Sequence, residues 1–276
     1  MTVPLDVVTD LAHGGRWTSL RHGDREWLWR RESPERDGVA PGDAFVDAGG
    51  VEECVPSVRG TPDHGDAWSR PWTRDGGGDG DGETVRCDRF ALTRTLRGTD
   101  DGVEAAYVLT AEPGFRFLWA AHALLDLSEE AVVRAREGAP TRLFPEAAPL
   151  LGRPWPDGAP WVEGAWPAPR GLRLDRFGPD DGTAVGAVVD GGRCCVHDGA
   201  DRLALAVEAD GQPLSVALWR NLGGFPAGRP YRSTGVEPML GRVFDLADAG
   251  PDDAARVPAS GEVRWRLTVT AECRCP

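Results

Sequence analysis

Lysine is missing from this 276-residue chain: all 31 basic residues are arginine. They alternate with acids and form no basic block, and the formal net charge is -13. Phosphate backbones repel so acidic a surface, which argues against a nucleic-acid partner. The exclusive use of arginine reads as a bias of the coding sequence, not as a binding device. Long apolar runs are lacking too. The best, "FLWAAHALLDL", carries His122. It falls short of the ~20 apolar residues a spanning helix needs, so no membrane partner is expected. The opening "MTVPLDVVTDLAHGG" has no basic start leading into an apolar core and does not read as a secretory signal. The expected location is cytoplasmic.

Cysteine is present but in no familiar pattern. Cys194 and Cys195 are neighbours, Cys273 and Cys275 flank one arginine, and Cys54 and Cys87 stand apart. There is no C-x-x-C pair, and neither spacing suits a zinc site. The chain is also too long for a small disulfide scaffold. The cysteines are expected to be reduced and mostly structural.

Helix signals are scarce. "SEEAVVRARE" from Ser128 could form one or two turns, or a strand with a polar lead-in. Alternation dominates instead. "GEVRWRLTVTAE" puts Val263, Trp265, Leu267 and Val269 on one face and charged or polar residues on the other, the pattern of a half-buried strand. "DRLALAVEAD" alternates in the same way. "CDRFALTRTLRG" and "VEAAYVLTAE", joined by "TDD", read as a hairpin. "TAVGAVVDGGRCCVHD" reads as another, with Asp190-Gly191-Gly192 at its turn. With 36 Gly and 23 Pro between short runs, the chain is expected to be all-β, a sandwich or barrel. No linker and no repeat is evident, so one domain is expected over residues 1–276.

Two segments break the alternation. "TRDGGGDGDGE" is glycine and acid, expected as a mobile loop; its aspartates would repel phosphate. "GRPWPDGAPWVEGAWPAPRG" sets Trp155, Trp161 and Trp166 among prolines and cannot be a central strand. Its tryptophans either staple a loop to the body or line a pocket.

Three places could carry chemistry: His64 in "DHGDAW", His122 in its apolar run, and Glu237 in "YRSTGVEPMLGR". Each alone has a plain explanation as a turn histidine, a core histidine and a loop acid. Their order is more specific. Gly49, Gly50, Pro56, His64, Gly65 and Trp72 come first. Trp119 and His122 follow, then Trp219, Gly235, Glu237 and Pro238. This succession resembles the aldose 1-epimerase, or galactose mutarotase-like, family across nearly the whole chain. "GGRWTSLRHGDREWLW" is similar to that family's opening hairpin.

The resemblance implies an antiparallel β-supersandwich of the galactose mutarotase-like kind, with a sugar cleft and a small-molecule sugar as partner. It implies Glu237 as the base on the anomeric hydroxyl, His122 as the acid on the ring oxygen, and His64 as a second, sugar-binding histidine. A carboxylate and an imidazolium suit that reaction, because opening a hemiacetal removes one proton and adds another. No electrons move, so no cofactor is expected, and no metal. Trp219, Trp72, Arg59, Arg70 and Asp66 are further candidates for sugar contacts. The family's upstream arginine has no clear counterpart: Arg59 lies five positions before His64, and Arg70 follows it. Arg59, Arg70 and Arg232 together would suit a hexose phosphate. A carbohydrate-binding or regulatory protein on the same fold remains an alternative. So does elimination or epimerisation of a modified sugar, with Glu52 or Glu53 as an extra base.

Overall fold

A computed structural model describes residues 4–75 and 82–273 of the protein. The alternating runs become strands, and the strands form two large antiparallel sheets, one of ten and one of eight strands among the described residues. Glu262–Thr270 lies inside the smaller sheet, between Asp201–Ala209 and Gly102–Ala111. Its Val263, Trp265, Leu267 and Val269 are all buried. Trp265 stacks on Tyr107 at 5.1 Å and meets Trp119 of the larger sheet at 5.2 Å. The space between the sheets is therefore filled mainly by side chains that the period-2 pattern sends inward.

One polar cluster interrupts this apolar layer. Arg94 is fully buried and reaches Glu53 at 2.7 Å, Glu83 at 2.6 Å and the Gly15 carbonyl at 2.7 Å. Glu53 also accepts hydrogen bonds from the Tyr107 hydroxyl and the Trp119 indole. A buried charge is tolerated only when paired and hydrogen-bonded, and here each one is.

The hairpin Phe90–Gly98 with Gly102–Ala111 forms as expected. The opening hairpin also forms, with Arg16–His22 pairing with Arg25–Glu26. The Ser128 segment is a strand, Val132–Arg134, after a polar lead-in. "TAVGAVVDGGRCCVHD" is not a hairpin. Thr183–Asp190 belongs to the larger sheet and Arg193–Asp198 to the smaller, so Gly191-Gly192 carries the chain from one sheet to the other. A Cβ on Gly192 would stand 2.4 Å from the Val207 carbonyl. The glycine pair thus serves a close crossing, which looks like a turn in sequence. Arg193–Asp198 pairs instead with Asp201–Ala209.

The glycine-acid segment begins and ends in paired strands, Thr73–Asp75 and Gly82–Arg86; the loop expected at its centre lies outside the described residues. In the proline-tryptophan segment, Val162–Ala165 is an edge strand, and Trp166 is buried in the core. Trp155 donates to the Ala159 carbonyl, and Trp161 lies under the Arg142 guanidinium. All three staple the segment down. No helix among the described residues is long and apolar enough to cross a membrane.

The cysteines are not all reduced: Cys195 and Cys273 form a disulfide across 78 positions. Spacing could not reveal this, because the bond joins residues made neighbours by sheet order. Cys195 lies opposite Ala204, which lies opposite Thr270, and Cys273 follows just beyond. Cys54, Cys87 and Cys194 are free thiols. Reducing this bond is expected to cost up to about 4 kcal/mol by the chain-entropy argument, or roughly 10 °C in Tm for a chain of this size. Thermal unfolding with and without reductant measures it, and an unchanged Tm would show that the bond constrains nothing.

Candidate active site

The larger sheet places the acid and base candidates side by side. Trp119–Leu125 pairs with Gly50–Cys54 on one side and Tyr231–Leu240 on the other. His122 lies opposite Glu52. The second register, with Ala120 opposite Met239 and Leu124 opposite Gly235, puts His122 opposite Glu237. Opposed residues share a face, so Glu52, His122 and Glu237 form one row. Paired positions on this second ladder stop at Ala120 and resume at Leu124. The gap spans Pro238, which has no N–H to give a neighbouring strand.

His122 Nδ1 stands 2.9 Å from Glu237 Oε1. The contact is an ion pair, not a well-aligned hydrogen bond, and Glu237 Oε2 is buried with no hydrogen-bond partner in the protein. Burial alone would lower the His122 pKa. The Glu237 carboxylate outweighs that and raises it to about 9, with Asp47 and Glu52 adding to the pull. His64 goes the other way. Burial holds it below the ordinary histidine range, against its contact with Asp63, and the charge on His122 pushes it further down. The two imidazole rings are 4.9 Å apart. At neutral pH the site therefore holds one charged and one neutral histidine.

His64 is also the turn residue its sequence suggested. Its φ is +60°, and Gly65 follows at +77°. A Cβ on Gly65 would lie 2.1 Å from the Val55 carbonyl, so the turn needs glycine there. Turn and cleft are one feature, because this backbone aims the imidazole at His122.

Gly235 has an equally local reason. It precedes Glu237 by one same-face step, and a Cβ there would stand 2.2 Å from Glu237 Oε1. Gly235→Ala is expected to push the carboxylate off His122 and to cut any turnover that depends on the pair by about 10²-fold. Steady-state rates check this, with thermal unfolding to show that the variant folds; an unchanged rate would mean that the carboxylate position does not matter.

These groups line an open cleft of about 710 Å³. Of the residues expected to touch a sugar, His64, His122, Glu237, Trp219 and Arg59 line it. Arg59 lies over the Phe244 ring at 4.3 Å and the Trp219 ring at 5.4 Å, and it pairs with Glu146. Trp72, Asp66 and Arg70 do not line it. Trp72 is buried beneath Arg94, donating to the Ala67 carbonyl. Arg70 pairs with Asp88, and Arg232 with Asp180. Asp66 supports the turn, its N–H donating to the Val55 carbonyl. The three-arginine arrangement that would suit a hexose phosphate is therefore not present, since only Arg59 of the three reaches the cleft.

Glu52 and Glu53 point to opposite faces. Glu53 belongs to the inter-sheet cluster. Glu52 is on the cleft side but buried under Arg36, at 2.8 Å, and burial raises it to about 7 despite that arginine. Neither lines the cleft, which removes the support for an extra base. Among the described residues, no group of three His, Cys, Asp or Glu is arranged to hold a metal ion.

Sequence reasoning missed Phe45, Asp47, Tyr231, Phe225, Glu146 and Phe244, which also line the cleft. Phe45 stacks on His64 with centroids 3.6 Å apart. The Tyr231 hydroxyl donates to Asp47. Tyr231 had a signal, since it shares the parity of Gly235 and Glu237 on one strand. Phe45, in an irregular segment, had none.

Comparison with solved structures fits this architecture. A galactose mutarotase related enzyme from Lactobacillus acidophilus superposes with a TM-score of 0.62 at 12% identity, covering 98% of each chain. The chain has the galactose mutarotase-like fold. A galactose mutarotase-like protein from Lactobacillus casei gives a TM-score of 0.61 at 14% identity, over 96% of this chain and 99% of the other. The Slr1438 protein of Synechocystis gives 0.67 at 13%, over 99% and 96%. No protein-family model matches the sequence, and no curated protein matches it. At these identities the mutarotase-like fold is shared while most side chains differ, so the chemistry rests on this chain's own cleft.

Proposed function

We propose that the protein interconverts the anomers of an aldose by acid–base ring opening, with Glu237 as base and His122 as acid. The observation that supports this most is the 2.9 Å contact between them at the cleft wall. O1 and O5 of a pyranose are bonded to the same carbon, so a base for one and an acid for the other must be neighbours. Glu237 accepts the O1 proton from its place on the cleft wall. His122, charged at neutral pH, donates to O5 as the C1–O5 bond breaks. The open-chain aldehyde turns about C1–C2. Closure with the roles reversed gives the other anomer, returns both protons and needs no cofactor. His64, neutral and backed by Phe45, binds the sugar, while Trp219 offers an apolar face. His64→Ala should mainly weaken binding, and His122→Ala should remove turnover.

Polarimetry or anomeric proton NMR on freshly dissolved α-D-glucose and α-D-galactose tests the reading. Acceleration above the buffer rate is expected. Unchanged rates with both sugars would favour a carbohydrate-binding protein on the same fold.

The reaction should also have an alkaline limit. His122 must carry its proton, so turnover is expected to fall as pH rises through about 9. The same group contributes stability that is full below the unfolded histidine value and is lost as pH rises through the folded one. A pH–rate profile, with stability measured at the same points, checks both. A rate that keeps rising past that range would remove His122 as the acid.

A further inference from the structure

The charge on the cleft wall is lopsided. Glu35, Asp47, Asp63, Glu146 and Glu237 line it, against Arg31 and Arg59. Arg31 is exposed and lies over the Tyr231 ring at 4.9 Å. Arg59 is the cation nearest the aromatic wall, and it is already paired with Glu146. His122 is paired with Glu237. An anionic group entering the cleft would meet surplus carboxylates and no uncommitted buried cation.

Glu146 is placed by a firm element. It sits on the turn Pro145–Leu150, whose Ala147 is buried, and the preceding Phe144 N–H donates to the Gly186 carbonyl. Gly186 in turn makes room for Arg59, whose Nη2 would be only 2.8 Å from a Cβ there. One Glu146 oxygen faces Arg59, while the other is buried without a hydrogen-bond partner in the protein. The Glu146 side chain is one-third exposed at the cleft wall, so its negative charge is felt by any group that enters.

We infer that Glu146 is a specificity residue: by neutralising Arg59 it restricts the cleft to aldoses without an anionic group, amino sugars included. The word aldose rests on the proposed function; the exclusion of anions rests on the charges alone. Anion exclusion can therefore be tested without turnover. Inorganic phosphate is titrated at constant ionic strength, and the His64 and His122 imidazole signals are followed by proton–nitrogen NMR. Wild type should show no saturable shift in the low millimolar range, while Glu146→Gln should bind phosphate at least about five-fold more tightly. Glu146 is one-third exposed, and circular dichroism shows whether the variant keeps its fold; Glu146→Ala serves as the second variant. Saturable phosphate binding in wild type as tight as in the variants would overturn the inference. So would an absence of any gain in both variants. In the anomer assay, D-glucosamine should be accepted at least as well as D-glucose, and D-glucose 6-phosphate at least about ten-fold less well. Turnover of the phosphate at the free-sugar rate would overturn the inference. Failure of all three sugars would count against the proposed function, and the phosphate titration would still decide the role of Glu146.

Discussion

Glu237→Gln is expected to abolish anomer interconversion, by about 10³-fold or more, in a protein that still folds. The substitution keeps the shape of the side chain and removes only its basicity. A positioned acid or base contributes typically 10² to 10⁴ in rate, and here the loss reaches the acid as well. With the carboxylate gone, burial is opposed only by the weaker pulls of Asp47 and Glu52, and the His122 pKa falls. The imidazole signal of His122 should therefore titrate well below its wild-type position. Polarimetry and histidine NMR on the same sample read the two effects together. Full turnover in Glu237→Gln would sink the mechanism. An unmoved His122 titration would mean that the pair is not coupled as the 2.9 Å contact requires.

Arg94→Met should be the most destabilising single change away from the cleft. It leaves Glu53 and Glu83 buried without their shared cation. Breaking a buried ion pair from one side costs about 3–5 kcal/mol; here one loss leaves Glu53 with only neutral donors and Glu83 with only the exposed Arg74 at 3.5 Å and the Thr9 hydroxyl. Set against a typical total of about 5–15 kcal/mol, this is a large share of the stability. Urea unfolding measures the loss. Adding Glu53→Gln and Glu83→Gln should restore part of it, because the charges that need the arginine are then gone. An unperturbed single variant would show that water or a shifted side chain replaces the guanidinium. Exposed pairs such as Arg264–Glu262 should give no measurable change on the same test.

The strands were legible wherever one face is buried and the other wet, as in Glu262–Thr270. Period-2 alternation reports such strands directly. It failed at Asp190-Gly191-Gly192, because a tight turn and a crossing between sheets demand the same residues. It was silent on the disulfide, which depends on the order of strands across a sheet. Of the candidate site, His64, His122 and Glu237 were picked out by their order along the chain, and the fold brings them together in one cleft. Asp66, Arg70 and Trp72 lie close to His64 in sequence yet serve the turn, a surface pair and the core. Sequence proximity says nothing about which way a loop side chain points. Phe45 and Glu146 reach the cleft from irregular segments, where no periodicity marks a face.

The adjacent carboxylates Glu52 and Glu53 make the strand Gly50–Cys54 unusually intolerant of length change. One serves the row behind His122, and the other neutralises Arg94 in the core. A single inserted or deleted residue just before them would reverse every side chain on the strand. Glu53 would be carried out of the core and Glu52 swung into it, out of reach of Arg36. The same slip would break the approach of Gly50 to the Trp17 carbonyl, which would lie 2.3 Å from a Cβ at that position. Cleft geometry and stability would fail in one step, so libraries that vary loop length around the cleft should leave this strand at its native length.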